Sequence, residues 1–288
     1  MEKTLIRTRD FTPEELKKWQ LRLLEILVYF RDFCEGHQLK FWLTGGTLLG
    51  AIRHHGFIPW DDDIDVQMPR DDYEKLLTIW NKEADTSKFV CEHPTEQRNT
   101  GFPMAMIRNV NTTCIYEHSA KLDICHGLKI DVEYMDGVPS NFFAAKLHYI
   151  IENVMDLCKI GRIPSHTNLA KKTISWIILK FAYSNHLKWK VISICEKFLR
   201  KYSFYNCEYA RFSNCNMQKR SSFDILIYVD FEGYKMPIPK EYNDVLTRSY
   251  GDYMKLPPEN ERHPITDGLA FYDLDNSYLK YKGKYYFV

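Results

Sequence analysis

The sequence predicts an α/β fold, a mixed sheet core flanked by helices and interrupted by a helical insertion. Short runs such as Asp63-Ile64-Asp65-Val66 and Lys129-Ile130-Asp131-Val132-Glu133 alternate with a period of two. Leu16, Trp19, Leu23, Leu27, Phe30 and Cys34 instead recur at helical spacing. From Phe142 to about Tyr205 strand signals give way to long helical patterns. The reading is a core with an N-terminal helix over 1–140, a helical region over 141–205, and a region over 206–288 that returns to the core.

Bulk properties narrow the function. The 288 residues are 45% hydrophobic and 15% aromatic, enough for a sizeable core. A net charge of +1 gives no global basic field, so no nucleic-acid partner is expected. The eight cysteines include no CxxC. Cys114 with His118, Cys125 with His126, and Cys207 with Cys215 are conceivable ligand pairs, but ordinary thiols are the expectation. MEKTLIRTRD lacks an apolar signal core, so a cytoplasmic protein with reduced thiols is expected. No run of 18 apolar residues exists to span a bilayer.

In chain order, Thr12-Pro13-Glu14-Glu15 reads as a capped helix start, and Gly36 as its stop. Phe41-Trp42-Leu43 is a short buried strand, ended by a turn at Gly45-Gly46 before a helix over Thr47–Arg53. Glycines at such a junction let backbone amides approach an anion, phosphate first among them. After a Pro-Trp corner, Asp63 and Asp65 share one strand face, with Asp61 in the same parity. Like charges crowded there need a cation, and hard carboxylate oxygens suit Mg²⁺, or Mn²⁺ in its place.

Asp71 to Trp80 is an amphipathic helix, and Phe89–Cys91 and Met104–Val110 are strands. Asp131 lies on the next strand, on one face with Lys129 and Glu133, and Asp136-Gly137-Val138-Pro139 reads as a closing turn. Ile225–Val229 is a strand; Pro239–Tyr250 is a short helix stopped by Gly251.

GG followed by a D-h-D-h strand resembles the nucleotidyltransferase superfamily signature. The longer stretch GGTLLGAIRHHGFIPWDDDIDVQMPRDDYEKL resembles the LicD family of phosphocholine transferases and fukutin-related phosphotransferases. Pro-Ile-Pro-Lys, Tyr-Gly-Asp-Tyr and Leu-Pro-Pro within 231–264 resemble it too, so the likeness frames a divergent middle. The resemblance implies a nucleotidyltransferase-like core and transfer of a phospho-alcohol from a CDP-alcohol, CDP-choline foremost. The acceptor would be a hydroxyl of a cell-surface glycan (teichoic acid, lipopolysaccharide) or its lipid-linked precursor, and CMP would leave. It also implies Asp131 as third carboxylate, catalytic with Asp63 and Asp65 and a metal ligand with them and Asp61. Gly45, Gly46, Thr47, Arg53 and Arg108 would bind the donor. Tyr250, Asp252, Arg262 and His263 are further candidates; acid–base roles for His54 and His55 are disfavoured. Nucleotidyl transfer releasing diphosphate, or a non-catalytic glycan-binding protein, are the alternatives. Choline, ribitol and glycerol are not distinguished.

Between 168 and 202, eight lysines and arginines face only Glu196. Two apolar stripes lie here, Ile174-Ile177-Ile178-Phe181 and Leu187-Val191-Ile194-Phe198. Peripheral contact with an anionic membrane is one expectation, and a buried core with solubilising lysines is the other.

Overall fold

The computed structural model describes residues 6–164, 167–213 and 215–287; the first five residues of the N-terminal reading lie outside them. The chain begins with α1 (Pro13–Gly36), β1 (Trp42–Leu43), α2 (Gly45–Arg53), β2 (Asp65–Pro69) and α3 (Arg70–Glu83). Then come β3 (Phe89–Glu92), β4 (Ala105–Asn109), β5 (Thr113–Tyr116) and β6 (Lys129–Val138). Helices α4 (Phe142–Ile160), α5 (Leu169–Phe181) and α6 (Asn185–Leu199) follow. The chain continues through β7 (Tyr209–Arg211), β8 (Gln218–Lys219), β9 (Leu226–Phe231), β10 (Tyr234–Pro239), α7 (Tyr242–Tyr250) and β11 (Leu269–Asp273). Two compact units result. The first comprises Met1–Glu92, Met106–Tyr134 and Ser222–Val288; the second, His93–Ala105 and Met135–Ser221.

The first unit has an α/β architecture, with main strand order β1-β2-β6-β4-β3. Helix α1 begins with the expected capping box: Thr12 Oγ1 accepts from the Glu15 amide at 3.2 Å, and Glu15 Oε2 from the Thr12 amide at 2.8 Å. Its helically spaced Trp19, Leu23, Leu27, Phe30 and Cys34 are all buried. The aromatic tail packs back too, Tyr281 and Tyr286 clustering with Ile115.

Three local expectations are corrected. Gly45 and Gly46 lie inside the first turn of α2, and Gly45 takes a left-handed φ of +55°. Strand β2 begins only at Asp65, although the in–out alternation starts at Asp61. Asp136-Gly137 is not a turn, because β6 runs on to Val138 and pairs antiparallel with β7. Glycine serves close approach there: a Cβ on Gly137 would lie 2.4 Å from the Ser203 carbonyl oxygen.

In the second unit, side chains of Asn141, Asn168 and Ser184 cap α4, α5 and α6. Met155, Leu157 and Cys158 of α4 are buried, as are Ile192, Cys195 and Leu199 of α6. Helix α5 differs. Only Ser175 of it is buried, while Ile174, Ile177 and Phe181 of the expected stripe are exposed. No helix among the described residues is long and apolar enough to cross a membrane.

Candidate functional site

Three hydrogen bonds fix the acidic stretch in the first unit. The Thr44 amide donates to the Asp65 carbonyl at 3.1 Å, and the Asp65 amide to Thr47 Oγ1 at 3.0 Å. The Asp131 amide donates to the Ile64 carbonyl at 2.9 Å. They tie the β1–α2 corner to β2 and bring β6 alongside. Asp61, Asp63 and Asp65 are half-buried, while Asp62, Ile64 and Val66 alternate with them as buried residues. Oxygens of Asp61, Asp62 and Asp63 lie within 4.8 Å of one another. The glycines face this cluster directly. A Cβ on Gly46 would come within 2.9 Å of Asp61 Oδ2, and one on Gly45 within 3.4 Å of Asp65 Oδ2.

The loop entering β2 is clamped from behind. Trp19 Nε1 donates to the Asp62 carbonyl at 2.8 Å, and Gln20 Nε2 to the Asp61 carbonyl at 2.9 Å. Asp62 turns inward, where its Oδ2 accepts from Thr8 Oγ1 and, at 3.0 Å, from the Thr266 amide. Asp62 thus anchors the loop through Oδ2, while its buried Oδ1 has no hydrogen-bond partner.

Burial and mutual repulsion raise the acids. Burial first, then Asp63 and Asp62, push Asp61 up to about 8. Asp63 rises to about 6 through burial and then Asp62, against the pull of Lys129. Asp65 is held well above the carboxylate range by burial, Asp63 and Glu133. Glu133 rises to about 8 by burial, although Gln67 Nε2 donates to it at 2.8 Å. Lys129 Nζ lies 2.5 Å from Asp131 Oδ2, while the buried Asp131 Oδ1 has no hydrogen-bond partner. Several desolvated carboxylates share one lysine, which is the arrangement a hard divalent cation would relieve. The donor set fits Mg²⁺ or Mn²⁺. Among the described residues Asp61, Asp62 and Asp63 are the one group of three or more His, Cys, Asp or Glu side chains that converges within 4.8 Å, so the Cys–His pairings gain no third ligand. No disulfide joins the described cysteines.

The remaining candidates separate. Arg53 Nη1 donates to the Tyr253 carbonyl at 2.8 Å. Its guanidinium is disfavoured by burial and then by Arg262 nearby, with Tyr250 in opposition. The Tyr250 hydroxyl would lie 4.0 Å from a Cβ on Gly45, so the end of α7 borders the glycine bend. His55 is exposed with a φ of +57°, and the His54 imidazole is shifted down by burial. His263 Nδ1 lies 3.0 Å from the Pro264 carbonyl. Thr47 holds the Asp65 backbone through its hydroxyl. Arg108, expected beside donor phosphates, is instead fully buried; it donates to the Gly127 carbonyl at 2.9 Å and lies 3.2 Å from Met106 Sδ. A buried guanidinium paired with a backbone carbonyl supports the fold. Sequence reasoning assigned nothing to Glu133 and Lys129, although their parity with Asp131 was the signal, and it missed the inward anchor of Asp62.

Comparison with known proteins gives these residues a context. The nucleotidyltransferase domain of LicD/FKTN/FKRP matches residues 38–116. The lipopolysaccharide cholinephosphotransferase LicD of Haemophilus influenzae is 31% identical over 264 residues, covering 86% of this chain and 95% of that protein. Human ribitol 5-phosphate transferase FKRP is 36% identical over 78 residues, 26% of this chain and 16% of its own. Mannosyltransferase regulator 4 of Saccharomyces cerevisiae is 32% identical over 73 residues, 25% of this chain and 6% of its own.

Proposed function

Because the chain belongs to the LicD family, we propose that it is a phosphotransferase acting on glycans, moving a phospho-alcohol from a CDP-alcohol to a sugar hydroxyl. Phosphocholine is the group favoured, since the relative aligned over nearly its whole length is a cholinephosphotransferase. The observation that carries the reading is the crowding of Asp61, Asp62 and Asp63, whose oxygens lie within 4.8 Å of one another beside Gly46, with Asp65 at Gly45 and Asp131 near enough to raise Asp63 and Asp65.

Asp63 and Asp65, with Asp61 beside them, would hold Mg²⁺. Bound there, the ion supplies neutralisation of the donor diphosphate. Gly45 and Gly46 carry no side chain, so the start of α2 can come close to that diphosphate and present backbone amides to it. Asp131 Oδ1 takes the proton of the attacking hydroxyl, while Lys129 keeps Oδ2 in place. The sugar oxygen forms a bond to the phosphorus that carries the alcohol, the bond from that phosphorus to the bridging oxygen breaks, and CMP leaves with the electron pair. Asp62, Trp19 and Gln20 keep the acidic loop in register, which is most of what phosphoryl transfer asks of a protein.

The test incubates the protein and Mg²⁺ with CDP-choline, CDP-ribitol or CDP-glycerol and a glycan acceptor, and identifies the released product. CMP formed with one of the three supports the reading, and the productive donor names the alcohol. Release of diphosphate from a nucleoside triphosphate would replace it with nucleotidyl transfer. No turnover with any donor would leave a glycan-binding protein on the same scaffold.

A further inference from the structure

We propose that the exposed apolar face of α5, together with the lysines around it, docks the helical unit onto an anionic lipid surface. Leu169 is 80% exposed, Trp176 51% and Phe181 81%. A 13-residue helix with one buried side chain gains little stability from its own unit. Between it and α4 runs a cleft of about 340 Å³, lined by Ile150, Val154, Leu157, Ile174 and Ile178 among others. Exposed Trp, Ile and Phe side chains with lysines set among them is the composition of a helix lying in a lipid interface.

Charge identifies the occupant. Residues 168–202 carry eight lysines and arginines and one acid, a net +7, whereas the whole chain is +1, so the remainder carries −6. Among the described residues Lys171, Lys172, Lys180, Lys190, Lys197 and Lys201 form no ion pair. Glu196, the single acid, already lies 3.5 Å from Lys159. Lys180 sits over the Trp176 ring at 4.8 Å, which joins cation and aromatic at one spot on the helix. A second copy of this chain would bring the same +7 against itself, and an acidic bilayer is the extended surface that neutralises it.

The experiment is co-sedimentation of the full chain with vesicles of phosphatidylglycerol and phosphatidylethanolamine, against vesicles of phosphatidylcholine alone. Binding is expected to the anionic vesicles only, and to weaken as salt rises. At about fivefold per lysine, Lys171→Glu with Lys172→Glu should lower partitioning by about 25-fold or more. Trp176→Phe should abolish quenching of tryptophan fluorescence by brominated lipid at that face. If the double variant fails to fold, Lys190→Glu with Lys197→Glu tests the same field from α6. Equal binding to both vesicle types, binding to neither, or unchanged partitioning in a folded charge-reversal variant would overturn the proposal. So would a salt-stable dimer that buries Trp176.

Discussion

The acidic face beside Gly45-Gly46 and the lysine-bearing face of α5 both gather like charges, but under opposite conditions of solvation. Asp61, Asp63, Asp65 and Glu133 are crowded together and largely withdrawn from water, and burial is the largest influence on each of them. The α5 lysines stand in water, beside apolar side chains that no part of the described unit covers. Charge gathered among a few desolvated carboxylates calls for a point counter-ion held by several oxygens. Charge spread over an open face suits an extended, diffuse partner and is easily screened. The two faces should therefore respond differently to mutation, pH and salt.

The largest contrast is catalytic. Asp63→Asn or Asp65→Asn should each lower phospho-alcohol transfer by about 10³-fold or more, as expected when charge placement is removed from a transfer site. Melting temperature without added metal should stay level or rise, since a buried like charge is gone. The α5 charge reversals should leave turnover on a soluble acceptor unchanged. Turnover within tenfold of wild type in either Asn variant would remove the contrast.

A buried group with no crowd of like charges gives the control. Burial lowers His126 from 6.5 to about 4, with its Nε2 at the Leu122 carbonyl. A histidine depressed in the fold contributes stability above pH 6.5 and loses it as pH falls toward 4, because the unfolded chain takes the proton first. The full loss corresponds to about 3 kcal/mol. Because Asp61, Asp63 and Glu133 are raised and gain stability over the same fall in pH, the readout is the difference between wild type and His126→Phe. In chemical denaturation it should move against wild type by most of that amount from pH 7 to pH 4.5.

Gly46→Ala tests the close approach. Its Cβ would enter at 2.9 Å from Asp61 Oδ2, so the carboxylate must move. A loss of about 10- to 100-fold in kcat with near-normal stability is expected, since small misplacements at a transfer site are costly. Wild-type kcat would mean that Asp61 is a bystander. The smallest effect should come from the anchor behind the loop. Thr8→Val removes one hydrogen bond to Asp62 and should cost about 1 kcal/mol in urea unfolding, with a modest fall in rate.

How far the sequence could be read also differs between the faces. Around the acids, information is local: a period of two sets Asp63 and Asp65 on one side of the chain, and a capping box announces α1. Those features need no distant partner, so they survive folding as read. The burial of Arg108 is not legible in the sequence, because a strand arginine has the same local pattern whether it faces solvent or the interior. Its partner, the Gly127 carbonyl, lies 19 residues on, outside any local pattern. Asp62 was unreadable for the same reason, its partners Thr8 and Thr266 lying at opposite ends of the chain. The stripes of α1 and α5 are alike in period, yet one is buried and the other exposed. Periodicity tells that a helix has an apolar side, and tertiary context decides whether that side finds a cover.

The most direct measurement is divalent-ion binding to the nucleotide-free protein, followed by the electron paramagnetic resonance of Mn²⁺ and competed with Mg²⁺. Saturable binding to wild type, lost in Asp63→Asn and Asp65→Asn and unchanged in Lys171→Glu with Lys172→Glu, is the predicted result. Binding that is absent, or that survives both Asn substitutions undiminished, would contradict the account.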